Sequence, residues 1–364
     1  MRLYAGIDLH ATNHYLGIID EQNKVYFKYK IPNDLRKTLS YLEPFRKEIE
    51  GVVVESTFNW YWLVDGLMDQ GYRVHLANPA AIRQYEGLKH SDDEREALWL
   101  ANLLRLGILP EGYIYPKEER PLRDLLRKRL QLVRHRTSHI LSIQNIMSRS
   151  LGLKMRAQEV KKLDDDGLRG LFKEEHLYLA AHTSVGVMKY LGEKIKRIEG
   201  VVKNRVKLQK EFEGLLSLPG VGEILGLTIM LEVGDIGRFP EVGNYASYCR
   251  CVRSTRLSNG KSKGEGNRKN GNKYLAWAYV EAANYALRFY PEVSRYYHRK
   301  AAETNSIVAI KAISHKLARA SYYIMRDQVV YDSRKLFAEG GGRETGCGVG
   351  SKPQSLIGQL LPPS

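Results

Sequence analysis

Cysteine is scarce in this chain: three in 364 residues, at Cys249, Cys251 and Cys347. Three make no disulfide framework, and their spacing matches no zinc pattern, so packing must hold the fold in a reducing compartment. Long uncharged apolar runs are missing too, which argues against a membrane partner, and no signal-peptide pattern opens the sequence. Acid is also short. Lys plus Arg number 57 against 41 Asp plus Glu, a formal charge of +16. Such a surface attracts polyanions, and nucleic acid is the commonest one in a cell. The chain therefore reads as cytoplasmic and nucleoid-associated, with length for two or three domains.

What is present starts with Leu3-Tyr4-Ala5-Gly6-Ile7-Asp8, an apolar run that ends on a carboxylate. A buried strand delivering an acid at its tip implies a need for negative charge there. Val52-Val53-Val54-Glu55 is a second such run, and Asp93 and Glu96 stand three apart on one face of a helix opened by Ser91 and Asp92. Gathered carboxylates suit Mg²⁺ (or Mn²⁺), which takes one or two of them together with substrate phosphate and water. Asp8, Glu55, Asp93 and Glu96 are thus the candidate metal ligands and catalytic acids, with Asp92 as an alternative to Glu96. His10 reads more readily as structural than as part of that site.

Strands are expected at Tyr15–Ile19, Val25–Lys30 and Gly71–Leu76, with helices from Asn33 to about Lys47, from Phe58 to Gln70 with Trp62 inward, and from Ser91. Three strands, helix, strand, helix, strand, helix is the order of an α/β ribonuclease-H-like (RuvC-like) domain, a fold that hosts many chemistries.

Past Pro121 a helical stripe runs through Leu122, Leu126, Leu130, Val133, Ile140, Met147 and Leu151, and a second helix is expected over Val187–Leu216. With a polar connection at Asp164–Gly170, the pair reads as an antiparallel coiled-coil arm. Its basic face includes Arg127, Lys128 and Arg134, either as a solvated surface or as a nucleic-acid contact. Leu218-Pro219-Gly220-Val221-Gly222 then joins the arm to an apolar helix, Glu223–Val233, in a helix-hairpin-helix pattern. There Gly220 and Gly222 could let backbone amides approach phosphate, or simply make a tight turn.

The segment Ser247–Leu275 holds eight Lys or Arg and one acid, Glu265. Rich in glycine and poor in apolar residues, it reads as a loop against phosphate, carrying Arg253, Arg256, Lys261, Lys263, Arg268, Lys269 and Lys273. Helices follow at Lys273–Phe289 and Ser306–Asp327 in a mainly α C-terminal domain, and Glu339–Ser364 reads as disordered. The expected division is 1–115, 116–215 (arm), 216–330 and a tail, 331–364.

Taken in order, these motifs resemble insertion-sequence transposases that pair an N-terminal RuvC-like Asp-Glu-Asp-Asp domain with a C-terminal serine domain. Those are the bridge-RNA-guided recombinases, relatives of Piv-type DNA invertases. The matching stretches include Gly6-Ile7-Asp8, Val54-Glu55-Ser56-Thr57, Lys89-His90-Ser91-Asp92-Asp93, Gly234-Asp235-Ile236-Gly237-Arg238-Phe239, Ser258-Asn259-Gly260-Lys261 and Gly271-Asn272-Lys273-Tyr274-Leu275, over roughly residues 3–330. The resemblance implies that Asp8, Glu55 and Asp93 are the first three acids. It places Glu96 where the family usually has Asp, and Ser258, with Ser254 nearby, at the nucleophile. It further implies donor and target double-stranded DNA, a structured guide RNA, a phosphoserine intermediate, and a tetramer whose active sites combine acids and serine from different subunits. A RuvC-type nuclease using water, a decayed nucleic-acid-binding protein and a sugar-kinase-like ATPase are the rivals; the basic balance and the lack of a second phosphate loop argue against the last.

Overall fold

A computed structural model describes residues 1–82, 93–206, 210–252, 257–258, 261–262, 270–332 and 336–337, with backbone alone at 206, 210, 257–258 and 261–262. Two compact units result, one built mainly from Met1–Lys117 and one that starts at Glu118.

In the first unit a five-stranded mixed sheet is assembled from β1 (Leu3–Leu9), β2 (Asn13–Asp20), β3 (Val25–Pro32), β4 (Ile49–Glu55) and β5 (Val74–Ala77), in the order β3-β2-β1-β4-β5. The first three strands are antiparallel neighbours, whereas β4 and β5 add in parallel beyond β1. This is a ribonuclease-H-like arrangement, as the element order predicts. The central strand β1 is nearly all buried because it is covered on both faces, while edge strand β3 alternates lysines and tyrosines and stays largely exposed.

Helix α1 (Leu35–Leu42) is shorter than expected. Its N-cap is Asp34, whose carboxylate accepts from the Arg36 and Lys37 N–H groups. Asn33, the expected cap, is committed elsewhere: its Oδ1 pairs with the His14 ring at 3.1 Å and its Nδ2 donates to the His10 carbonyl at 2.9 Å. Glu43-Pro44-Phe45 then tighten into a 3-10 turn, which stops α1 before Lys47. Helix α2 (Tyr61–Asp69) begins later than Phe58; Leu63, Val64 and Leu67 are its buried apolar residues, and Trp62 packs half-buried against the same core. Helix α3 (Asp93–Arg105) lies across β1 and β2. A Cβ at Gly6 would stand 2.0 Å from the Ala97 carbonyl oxygen, so only glycine lets α3 pack this closely on the central strand.

The second unit starts with α4 (Arg120–Leu151), followed by α5 (Ala157–Val160), α6 (Asp165–Leu171), α7 (Glu175–Val206) and α8 (Lys210–Leu216). Leu126, Leu130, Ile140 and Met147 of the expected stripe are buried. Helix α7 begins twelve residues before Val187. The weak helix formers His182, Thr183, Ser184 and Gly186 hide that first part in the sequence, and packing against α4 overrides them. The Asp164–Gly170 connection is itself helical, capped by Asp164, which accepts from the Gly167 N–H at 2.9 Å. Arg129 on α4 binds Glu199 on α7 at 2.6 Å.

The helical remainder comprises α9 (Glu223–Val233), α10 (Val242–Tyr248), α11 (Lys273–Phe289), α12 (Pro291–Glu303) and α13 (Ser306–Asp327). Leu227, Ile229 and Val233 of α9 share one buried core with Tyr245, Leu275, Tyr279, Ile313 and Leu317. Helix α12 is additional to the sequence reading, opened by Pro291 at its first position. Between α10 and α11 a short ladder pairs β6 (Leu257–Ser258) with β7 (Lys261–Ser262), in a stretch expected to be loop. Among the described residues no helix is long and apolar enough to cross a membrane. The expected disorder of 339–364 lies outside the described residues.

Candidate metal centre and nucleic-acid surfaces

Parallel pairing of β1 with β4 sets Ile7 opposite Val54, so Asp8 and Glu55, each next along its strand, emerge at the same sheet edge. Helix α3 enters from above with Asp93 and Glu96 in its first turn. Asp8 is 1% exposed. Its carboxyl is pushed up to about 8, first by burial, then by the hydrogen bond and charge of Glu55, then by the charges of Glu96 and Asp93. Three acids therefore act on a fourth that is buried, and such a group needs a compensating positive charge to ionise at neutral pH.

The sequence reading undervalued His10. Its Nε2 stands 3.2 Å from Asp8 Oδ2 and 3.2 Å from Asp93 Oδ2, and the three ligand atoms lie within 4.8 Å of one another. Asp8 Oδ2 and His10 Nε2 are buried atoms without a hydrogen-bond partner. Buried, unsatisfied atoms converging on one point fit a divalent cation, the ordinary companion of clustered carboxylates. The only advance signal was proximity: His10 follows Asp8 by two residues. Asp92 lies outside the described residues.

Of the candidate nucleic-acid contacts, Lys128 and Arg134 are exposed on α4, and Lys128 Nζ reaches Gln131 Oε1 at 3.0 Å. Arg127 has a different partner. Its Nε and Nη2 donate to Glu232 Oε1 and Oε2 at 2.6 and 2.7 Å, and its guanidinium lies 4.6 Å from the Tyr274 ring centroid. Glu232, 3% exposed on α9, also accepts from Asn272 Nδ2 at 2.7 Å. Asn272 in turn caps α11 by accepting from the Tyr274 and Leu275 N–H groups, and its own N–H donates to the Tyr248 carbonyl at 2.6 Å. Both ends of the basic segment are tied at this point. A lone glutamate inside the apolar run of α9 was the available signal for it.

Gly220 has φ +76°, and a Cβ there would stand 2.1 Å from the Ala282 carbonyl oxygen of α11. It is a packing glycine. Gly222, by contrast, is exposed at the N-cap of α9 with open space where a Cβ would go. Lys273 is exposed at the start of α11. Ser258 faces Lys261 across the short ladder; Lys261 is described there by its backbone alone, while Arg253, Arg256, Lys263, Arg268 and Lys269 lie outside the described residues.

A four-acid cluster on a mixed sheet, followed by long packed helices and a helical region, is the build of a DEDD-type transposase. Residues 5–150 match the DEDD transposase family described as "Transposase", and residues 213–298 match "Transposase IS116/IS110/IS902 family". The chain belongs to the IS110 family of transposases. It is similar to the protein y4qE of Sinorhizobium fredii, 25% identical over 235 residues (65% of this chain, 58% of that one). It is also similar to the transposase for insertion sequence element IS1111A of Coxiella burnetii, 24% identical over 301 residues (78% and 77%). The transposase for insertion sequence element IS1328 of Yersinia enterocolitica is 24% identical over 304 residues (77% and 85%). The match spans 58% of y4qE, short of that protein's full length.

Proposed function

We propose that this chain cuts and rejoins DNA as the transposase and site-specific recombinase of an insertion sequence, using Asp8, Glu55, Asp93 and Glu96 around a divalent ion and Ser258 as nucleophile. The observation that carries the reading is Asp8: a buried carboxylate crowded by three acids, with an unsatisfied oxygen aimed at His10 and Asp93. When bound, Mg²⁺ or Mn²⁺ supplies charge neutralisation at the scissile phosphate. The acids hold and orient that charge. The Ser258 hydroxyl attacks phosphorus and breaks the bond to the 3′-oxygen. Its proton passes to water and the departing oxygen takes one up, leaving a phosphoserine and a free 3′-hydroxyl. A second 3′-hydroxyl displaces the serine, so bond energy is retained without ATP.

In this reading α4 and α7 serve as a coiled-coil arm, α8 and α9 as a helix-hairpin-helix, and the division is 1–115, 116–215, 216–330 and a tail. Exposed Lys128, Arg134 and Lys273 and the basic segment grip backbones. Sequence choice belongs to a structured guide RNA, and tetramer subunits exchange acids and serine, as the resemblance implies. The test is covalent trapping on nicked DNA. Protein joined to a 5′-phosphate through Ser258, lost in Ser258→Ala, supports the reading; cleavage that persists in Ser258→Ala with water-derived 5′-phosphates replaces it with a RuvC-type nuclease. An adduct on Ser254 keeps the chemistry and moves the nucleophile.

A further inference from the structure

His10 is held more firmly than a solvated histidine requires. Its carbonyl accepts from Asn33 Nδ2 at 2.9 Å and from Asn59 Nδ2 at 3.0 Å, and its N–H donates to the Asn13 carbonyl at 2.9 Å. Asn33 is itself fixed by His14, a buried ring whose other nitrogen meets the Thr38 hydroxyl at 3.1 Å. The His10 ring packs edge-on against Tyr15, centroids 6.4 Å apart. This scaffold aims Nε2 between Asp8 and Asp93, 3.2 Å from an oxygen of each, without hydrogen-bond geometry. Two atoms bound to one divalent ion at about 2.0–2.3 Å stand about 3–4.5 Å apart, the range of both distances.

We propose that His10 is a nitrogen ligand of the divalent ion, completing a mixed nitrogen–oxygen site with Asp8 and Asp93, and that it gives the site a preference for Mn²⁺ over Mg²⁺. The inference rests on the reading of Asp8 and Asp93 as ligands. Mg²⁺ favours oxygen donors and keeps its water, whereas Mn²⁺ lies higher in affinity for nitrogen-containing sites and tolerates looser geometry. His10 and Asp93 are 41% and 48% exposed while Asp8 is closed off, so the ion is held from the protein side and left open to substrate on the other.

The experiment uses the full chain and two probes, Mn²⁺ alone and Mg²⁺ alone. Pulsed electron spin resonance of the Mn²⁺-loaded wild type should show modulation from a directly bound nitrogen, a readout that needs no variant and no activity. His10→Gln should remove that modulation and lower the ratio of Mn²⁺ to Mg²⁺ affinity, measured by calorimetry, about tenfold or more. Wild-type Mn²⁺ without nitrogen modulation, or an unchanged ratio in His10→Gln, overturns the proposal. Asp8→Asn separates the two readings. If it loses both ions while His10→Gln changes nothing, the acids stand and only the nitrogen ligand falls; if it binds both ions as the wild type does, the acidic site itself falls and takes the proposal with it.

Discussion

Arg127 on α4 clamps Glu232 on α9 with two parallel hydrogen bonds of 2.6 and 2.7 Å, and Glu232 is almost fully buried. The pair links the long helix to the point where the basic segment rejoins the fold, because Glu232 also holds Asn272 at 2.7 Å. A buried carboxylate stripped of its guanidinium is an uncompensated charge. Arg127→Leu should therefore cost about 3 kcal/mol of stability, read as a lower denaturant midpoint. Arg127→Leu with Glu232→Leu should recover much of it. A single variant as stable as the wild type would falsify this role.

Lys128 and Arg134 lie on the same helix but are exposed, and Lys128 makes a neutral contact to Gln131. Charge reversal at both should leave the melting temperature nearly unchanged. DNA affinity should fall for all sequences alike, with the log–log salt slope shrinking by about one per lost phosphate contact. A loss confined to one sequence would mean that these side chains read bases.

The sheet was legible because its signals are local: apolar strands ending on Asp8 and Glu55, and turn residues between hairpin strands. Asp8 and Glu55 come together because parallel register places strand ends side by side, while Asp93 and Glu96 act on Asp8 from the first turn of α3. What stayed hidden depends on contacts between distant segments. Asn33 looks like a cap until His14 and His10 claim its side chain. Arg127 looks like a phosphate contact until Glu232, more than a hundred residues away, is brought against it. The start of α7 was masked by poor helix formers that packing against α4 overrides.

The Asp8 carboxyl, pushed up to about 8 in the fold from an ordinary 3.8, keeps its proton over a range in which the unfolded chain has lost it. Its contribution to stability is full below the unfolded value and disappears as pH rises through about 8. Asp8→Asn stays neutral throughout. In chelator, then, the variant should melt above the wild type by a margin that grows from about pH 4 to about pH 8 and then levels off. Adding Mn²⁺ should raise the wild-type melting temperature and leave Asp8→Asn unmoved. A margin independent of pH would show that Asp8 is not the strained group.

The two hairpin glycines make opposite predictions. Gly220→Ala forces a Cβ to 2.1 Å from the Ala282 oxygen at φ +76°, so it should destabilise severely, by more than about 3 kcal/mol, or prevent folding. Gly222→Ala meets nothing and has an ordinary φ of −90°, so the fold should tolerate it. If the N-terminus of α9 receives a phosphate, the added methyl should weaken DNA binding without lowering the melting temperature. Unchanged binding in folded Gly222→Ala would reduce this hairpin to a turn.

The last prediction concerns how acids and serine meet. Asp8, Glu55, Asp93 and Glu96 all belong to the first unit, while Ser258 sits on a short ladder whose flanks are anchored at Tyr248 and Asn272 in the second. If one subunit's acids serve another subunit's serine, neither Asp8→Asn nor Ser258→Ala alone should recombine DNA, yet both should still bind it. A mixture should regain activity, because some pairings join an intact acidic cluster to an intact Ser258. Covalent adducts in that mixture should then map only to Asp8→Asn chains, which keep the serine, and tagged subunits of different mass make this readable on a gel. Adducts on neither chain, with each single variant inactive, would place acids and serine of one active site in the same subunit.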